Sequence, residues 1–126
     1  YENGRGVEKD PQKAVSLYRA GYERNYSPAA CALGLCYELG IGVERDFARA
    51  AALYQEAAER RHPRSTALLA NCYEQGRGVE RNLRRAAELY RRAADSGYDP
   101  AAEALKRVEE RLSRPLWKRL LGFLGR

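Results

Sequence analysis

Three cysteines and a single histidine are the residues of this chain best suited to nucleophilic or metal chemistry. Cys31 and Cys36 fall on one predicted helix, Cys72 follows one repeat after Cys36, and His62 precedes a proline. These spacings resemble no zinc site, and no nucleophile, base and orienting group can be assembled on one surface. We therefore expect no catalytic residue, metal or cofactor. We interpret the cysteines as reduced thiols, which favours a cytoplasmic location.

A Gly-x-Gly sequence that begins at Gly4, Gly40 and Gly76 is a second chemical candidate. A phosphate-binding loop of this kind follows a strand and opens a helix. Here the sequence follows a predicted helix and returns at a constant interval. We therefore interpret it as a turn.

A cluster of arginines in the last third of the chain is a candidate for binding acidic partners. Its members are Arg81, Arg84, Arg85, Arg91 and Arg92, in a chain with a formal net charge of +6. The cluster has no interleaved aromatic residues and matches no nucleic-acid motif, and two glutamates dilute it. We expect a solvated outer face, and we do not expect nucleic acid as a partner.

The elements that must position these residues repeat every 36 residues. The sequences YENGRGVEKD, YELGIGVERD and YEQGRGVERN begin at Tyr1, Tyr37 and Tyr73. Further equivalent positions follow: Ala14, Ala50 and Ala86; Leu17, Leu53 and Leu89; Tyr18, Tyr54 and Tyr90. A single such unit cannot bury its apolar face, so the units must stack and share a continuous core.

Each unit has the pattern of two helices. Apolar spacing, glycine stops and caps predict helices near 11–25, 28–40, 46–61, 63–76, 82–97 and 100–113, and a tail helix near 115–124. Asp10, Asp46 and Asn82 are placed to cap the second helix of each pair. Ser27-Pro28 and Asp99-Pro100 are expected to open the first helices as a cap followed by proline, and His62-Pro63 does so one residue out of register.

The sequence Leu33-Gly34-x-x-Tyr37-x-x-Gly40-x-Gly42-Val43-x-x-Asp46, followed by Ala50, Leu53-Tyr54 and Ala57-Ala58, resembles the Sel-one-like repeat (SLR) family. That family is related to tetratricopeptide repeats. The resemblance implies an all-α fold, a right-handed α-solenoid of helix-turn-helix repeats. It also implies a non-catalytic adaptor that holds other proteins, often in bacterial signalling or envelope processes.

The repeats divide the chain into a solenoid and a tail. We expect the solenoid at 1–113, made of a partial repeat at 1–27, repeats at 28–63 and 64–99, and a capping half-repeat at 100–113. Residues 114–126 are interpreted as an amphipathic basic helix that caps the array, or alternatively contacts a membrane or a partner through Leu116–Leu124. The first unit lacks its first helix, so we expect Leu17 and Tyr18 to be partly uncovered and to favour self-association, unless further repeats precede it.

The tetratricopeptide relation implies that the first helix of each pair lines a concave face. The inward positions are then Cys31, Leu35, Glu38, Leu39, Arg64, Leu68, Asn71, Glu74, Gln75, Glu103, Arg107 and Glu110. We expect a peptide or protein segment to bind there, although the leucines can equally be core residues. The alternatives are a solenoid accessory to a catalytic or membrane-associated domain, and a basic surface for membrane or RNA.

Overall fold

Six helices make up the part of the chain that the computed structural model describes, residues 10–114. They are α1 (Pro11–Glu23), α2 (Ser27–Leu39), α3 (Phe47–Glu59), α4 (Pro63–Gln75), α5 (Leu83–Asp95) and α6 (Asp99–Ser113). This stretch contains no strand, and each helix ends within two residues of its predicted bounds. The all-α prediction is confirmed. The predicted tail helix at 115–124 lies outside the described residues.

Each helix packs against the next along the chain, and α2 also contacts α4 directly. The shared core runs without a break through the described helices, with Leu33, Leu53, Leu69 and Leu89 at its centre. Such nearest-neighbour packing of helical hairpins is a solenoid, as predicted. Over residues 10–114, each helix is too short or too polar to cross a membrane.

Small residues on the first helix let the tyrosine of the second helix approach closely. A Cβ atom on Gly34 would lie only 2.6 Å from the Tyr54 ring. The equivalent Ala70 on α4 is fully buried. On α6 the same position is Lys106, which is exposed. A lysine there would obstruct a further tyrosine-bearing helix, so α6 differs from α2 and α4 at the position where their partners dock.

The second helices begin as the sequence predicts. The carboxylates of Asp10 and Asp46 and the amide oxygen of Asn82 each accept a 3.0 Å hydrogen bond from the backbone N–H three residues later. These bonds satisfy an N–H group that has no partner within its own helix. The three caps recur at the repeat interval and set where α1, α3 and α5 start.

The first helices begin differently from the prediction. Ser27 and Asp99 are already the first helical residues, and the residues before them, Tyr26 and Tyr98, make no capping bond with their side chains. Proline fits the second helical position as well as the first, because the N–H groups of the first turn have no intrahelical partner. Only His62 caps its helix with its side chain, as predicted.

The Gly-x-Gly turn after α2 and α4 performs two geometric tasks. Gly40 and Gly76 end the helices with φ values of 70° and 71°, in the left-handed region that glycine adopts at little cost. Gly42 follows with φ 73°, and a Cβ atom there would lie 2.5 Å from the Pro11 carbonyl oxygen at the start of α1. Each turn is therefore a contact with the preceding repeat as well as a helix stop, and it is not a phosphate loop.

Replacing Gly78 of the second turn and Gly97, which lies outside these turns, separates the cost of backbone conformation from the cost of contact. Gly78 has φ 74°, and a Cβ atom there would overlap the Phe47 carbonyl, whereas Gly97 has φ 95° and an open surrounding. We expect Gly97→Ala to destabilise the fold by about 1 kcal/mol. Gly78→Ala should lose about 1–3 kcal/mol more because the inserted methyl group has no room. Urea denaturation measures both, and equal losses would show that the contact between repeats carries no energy.

The links from the second helix to the next first helix also need positive φ. Asn25, Arg61 and Gly97 occupy the same repeat position, with φ 64°, 62° and 95°. Arginine is strained there and asparagine less so. We expect Arg61→Gly to raise the free energy of unfolding by about 0.5–1 kcal/mol. Arg24→Gly is the control, because Arg24 precedes the equivalent link with φ −93° and its replacement should lower stability. A gain at both sites would contradict the conformational explanation.

Candidate functional site

The predicted concave residues all lie on α2, α4 and α6, but they differ in exposure. Cys31 and Glu74 are buried. The half-buried members are Leu35, Glu38, Leu68 and Asn71, and the exposed members are Leu39, Arg64, Gln75, Glu103, Arg107 and Glu110. Ten of the twelve positions therefore present surface.

One cavity brings four of these residues together. It has a volume of about 420 Å³ and is lined by Cys31, Leu35, Leu39 and Arg64 from the predicted set. The remaining lining comes from Ala14 and Tyr18 on α1, Pro28, Ala32, Cys36 and Ile41 on α2 and its turn, and His62 before α4. We call this the α2 cavity. Its walls are mostly apolar, and Leu39 and Ile41 are 55% and 43% exposed.

Seven of the eleven lining residues were not predicted as site residues, and Ile41, Tyr18 and His62 are the largest of them. Ile41 lies in the Gly-x-Gly turn, where the equivalent residues in the other units are Arg5 and Arg77. The sequence therefore did contain a signal for this site, because isoleucine is unusual in an exposed turn. Tyr18 was expected only as part of an uncovered end, and His62 only as the residue before proline.

His62 serves as both a wall and a helix cap. Its Nδ1 lies 2.6 Å from the Ser65 hydroxyl and accepts a 3.3 Å bond from the Ser65 N–H. Burial, and then the charge of Arg64, lower the pKa of His62 below its ordinary value. The ring therefore stays neutral near pH 7, which leaves Nδ1 free to accept.

Glu74 and Arg107 contact each other. Arg107 donates two hydrogen bonds to the Glu74 carboxylate, at 2.9 and 2.7 Å, and Arg111 lies 3.8 Å from the same group. The Glu74 side chain is only 2% exposed. This bidentate contact ties α6 to α4. The sequence analysis placed both residues on the partner-binding surface. The structure buries Glu74 and pairs it with Arg107, which is itself about half exposed, so the partner-binding role of Arg107 stays a prediction.

Opposing effects act on the Glu74 carboxyl. Burial by itself would raise its pKa, but hydrogen bonds from Arg107 and Tyr90 and the two arginine charges lower the pKa below its ordinary value. The carboxylate is thus charged at neutral pH because its partners replace the water it has lost.

A tyrosine–glutamate hydrogen bond joins the two helices of each complete pair. The Tyr54 hydroxyl donates to Glu38 at 2.7 Å, and the Tyr90 hydroxyl donates to Glu74 at 2.8 Å. Burial and the bond to Glu74 raise the pKa of Tyr90 to about 12, and burial raises that of Tyr54 still further. The sequence analysis missed this role of Glu38 and Glu74. The signal was available, because glutamate recurs 16 residues before each of these tyrosines.

The cysteines contribute to packing. Cys31, Cys36 and Cys72 are free and buried. Burial, followed by the nearby Glu38 charge, raises the pKa of Cys72 to about 12, and burial raises the pKa of Cys36. Thiols with raised pKa are poor nucleophiles. Within residues 10–114 no cluster of histidine, cysteine and carboxylate side chains has the geometry to hold a metal ion.

Leu17 on α1 is much more exposed than the equivalent residues of the other units. Leu17 is 66% exposed, whereas its equivalents Leu53 and Leu89 are 5% and 1% exposed. Leu53 and Leu89 lie on helices that pack against the first helix of their own pair, and α1 has no such partner among the described residues. The expected self-association through Leu17 and Tyr18 stays a prediction.

These features define a class of protein: a solenoid of paired helices, in which a tyrosine–glutamate bond joins the two helices of a pair and a tight glycine turn contacts the preceding repeat. The Sel1 repeat model matches residues 1–26, 27–62 and 63–98. The chain therefore belongs to the Sel1 repeat family, which confirms the resemblance found in the sequence.

Solved structures of Sel1 repeat proteins have the same fold. The chain is 34% identical to c5321, a protective antigen of uropathogenic Escherichia coli with an SLR fold, over 74% of this chain and 20% of that one, with a TM-score of 0.71. It is 32% identical to a Sel1 repeat protein from Oxalobacter formigenes over 83% and 43%, with a TM-score of 0.74. Helicobacter pylori cysteine rich protein B is 26% identical over 75% and 71%, with a TM-score of 0.71.

The chain spans about a fifth of the first of these relatives and less than half of the second. No curated protein matches it. Sel1 repeat proteins are generally non-catalytic scaffolds for protein interaction.

The Glu74 ion pair generates a prediction about stability and pH. We expect Glu74→Gln to lower the free energy of unfolding by about 1–3 kcal/mol at pH 7, because the arginines and Tyr90 lose a charged acceptor. The pKa of Glu74 is lower in the folded than in the unfolded chain, so its contribution is complete above the ordinary value of 4.5 and is lost as the pH falls through the folded value. Denaturation of both proteins from pH 7 to pH 3 measures this. A difference that stays constant over that range would contradict the role assigned to the carboxylate.

Proposed function

We propose that this chain is a non-catalytic scaffold that binds a peptide or protein segment on the concave face formed by α2, α4 and α6. The α2 cavity is the observation that carries the proposal. Leu35, Leu39 and Ile41 present apolar surface to solvent in a concave site that is large enough for one or two side chains. Clustered exposed apolar groups with a polar rim are typical of interaction sites.

Polar groups continue the surface beyond the cavity. Asn71 and Gln75 follow on α4. The Asn71 side chain already hydrogen-bonds Tyr90, whereas Gln75 is exposed and its amide can both donate and accept. Side chains of this kind can hydrogen-bond the backbone of an extended peptide whatever its sequence. An apolar anchor site beside neutral hydrogen-bonding groups supports binding of a peptide segment.

Selection from a random peptide library displayed on phage, with the purified chain as bait, tests the proposal. We expect peptides that carry a large apolar side chain, and we expect Leu39→Glu to weaken their binding at least about tenfold. The reason is that an anchor side chain loses about 1.5–3 kcal/mol of burial when its site becomes charged. Fluorescence anisotropy of the selected peptides measures the change. Leu39 is suitable because it is more than half exposed, so its replacement spares the core.

Two matched variants locate the site. Ala48→Glu places the same charge on an exposed position of α3 and should leave binding unchanged. Leu17→Glu does so on α1, at an exposed side chain that does not line the cavity. Two outcomes would refute binding in the α2 cavity. In one, the peptides bind Leu39→Glu as tightly as the original chain; in the other, Leu17→Glu abolishes their binding instead.

A further inference from the structure

Comparison of equivalent positions on the three first helices separates structural from variable sites. Glu38 and Glu74 recur and hold the buried tyrosines. Other inward positions change completely from helix to helix: Leu35, Asn71 and Arg107 are equivalent, and so are Leu39, Gln75 and Arg111. The inward surface is therefore apolar on α2, amide-bearing on α4 and charged on α6.

The charges on this surface are not equally available. Arg107 and Arg111 are both directed at Glu74, and Arg77 lies 3.7 Å from Glu38. Arg64, by contrast, has no ion pair with any carboxylate among residues 10–114. It is exposed and lines the α2 cavity together with Leu35 and Leu39.

No internal contact of the described chain explains an arginine at this position. The equivalent residues on the other first helices are Pro28 and Pro100, so the repeat does not require a cation there. A positive charge in the first turn of a helix is itself unfavourable, and α4 has no acidic residue in that turn to offset it. A carboxylate on a bound peptide would offset this positive charge, while the side chain next to it on the peptide enters the apolar cavity.

We propose that the α2 cavity selects acidic peptides, in which a large apolar side chain enters between Leu35 and Leu39 while an adjacent aspartate or glutamate side chain meets Arg64. This inference rests on the proposed function, since it names the class of peptide that the same cavity receives. The apolar walls supply most of the affinity, because they remove apolar surface from water. Arg64 supplies specificity through a charge that water and salt partly screen.

Parallel selections with three baits test the inference: the original chain, Arg64→Glu and Arg84→Glu. Arg84 is a matched control because it is exposed, lacks an ion pair among the described residues and holds the same second position of its helix as Arg64 does. Both variants change the net charge equally. The library is displayed from the amino terminus of the coat protein, so that every peptide lacks a free terminal carboxylate.

The original chain and Arg84→Glu should enrich aspartate or glutamate next to the apolar residue. Arg64→Glu should keep the apolar enrichment and exchange the acidic preference for lysine or arginine. Synthetic peptides with an amidated end should bind the original chain about two- to tenfold more tightly than twins carrying glutamine for glutamate. That ratio should approach one with Arg64→Ala.

Each other outcome overturns a specific statement. If apolar peptides are selected without acidic enrichment, or if Arg64→Glu retains it, the assignment of Arg64 is wrong while the proposed function stands. If the same synthetic peptides made with a free carboxyl end gain more affinity from that end than from their glutamate, the ligand is a chain end and not an internal acidic segment. If neither apolar nor acidic peptides are selected, the proposed function itself fails.

Discussion

The hydrogen bond from a buried tyrosine hydroxyl to a glutamate on the preceding helix is the interaction on which this architecture depends. Tyr54 and Tyr90 are almost fully buried, so each hydroxyl needs a partner inside the protein. Glu38 and Glu74 accept this hydrogen bond. Each lies one helical turn beyond the small residue against which the tyrosine ring packs. Ring packing and hydroxyl bonding together fix how far apart the two helices lie and how they are rotated.

That constraint decides which inward residues are available to a partner. The glutamates of α2 and α4 are already engaged with their tyrosines, and Arg107 also bonds the glutamate of α4. The remaining inward positions make no contact that recurs in every repeat. Equivalent residues at one of these positions are leucine, asparagine and arginine. Variation among equivalent positions of one chain is therefore a guide to function, because positions that hold the repeats together cannot vary freely.

The features that the sequence analysis did not predict depend on contacts between helices and on where the chain turns. Periodicity shows which side of a helix a residue occupies but not which side chain from another helix will reach it. Glu74 and Arg107 share an inward face, so they were predicted to meet a partner; their approach across α4 and α6 makes them partners of each other. Ser27 and Asp99 have typical capping side chains, but the chain turns one residue earlier, at Tyr26 and Tyr98.

The sequence by itself determined the helices, the caps of the second helices, the turns and the family, because these depend on local preferences that return every 36 residues. Only the tertiary structure decided that Arg64, Leu35, Leu39 and Ile41 line one cavity, and that the arginines of α6 are already occupied. The physical reason is distance along the chain. Local preference acts over a few residues, whereas the availability of a charge or an apolar side chain depends on what the neighbouring repeat places beside it.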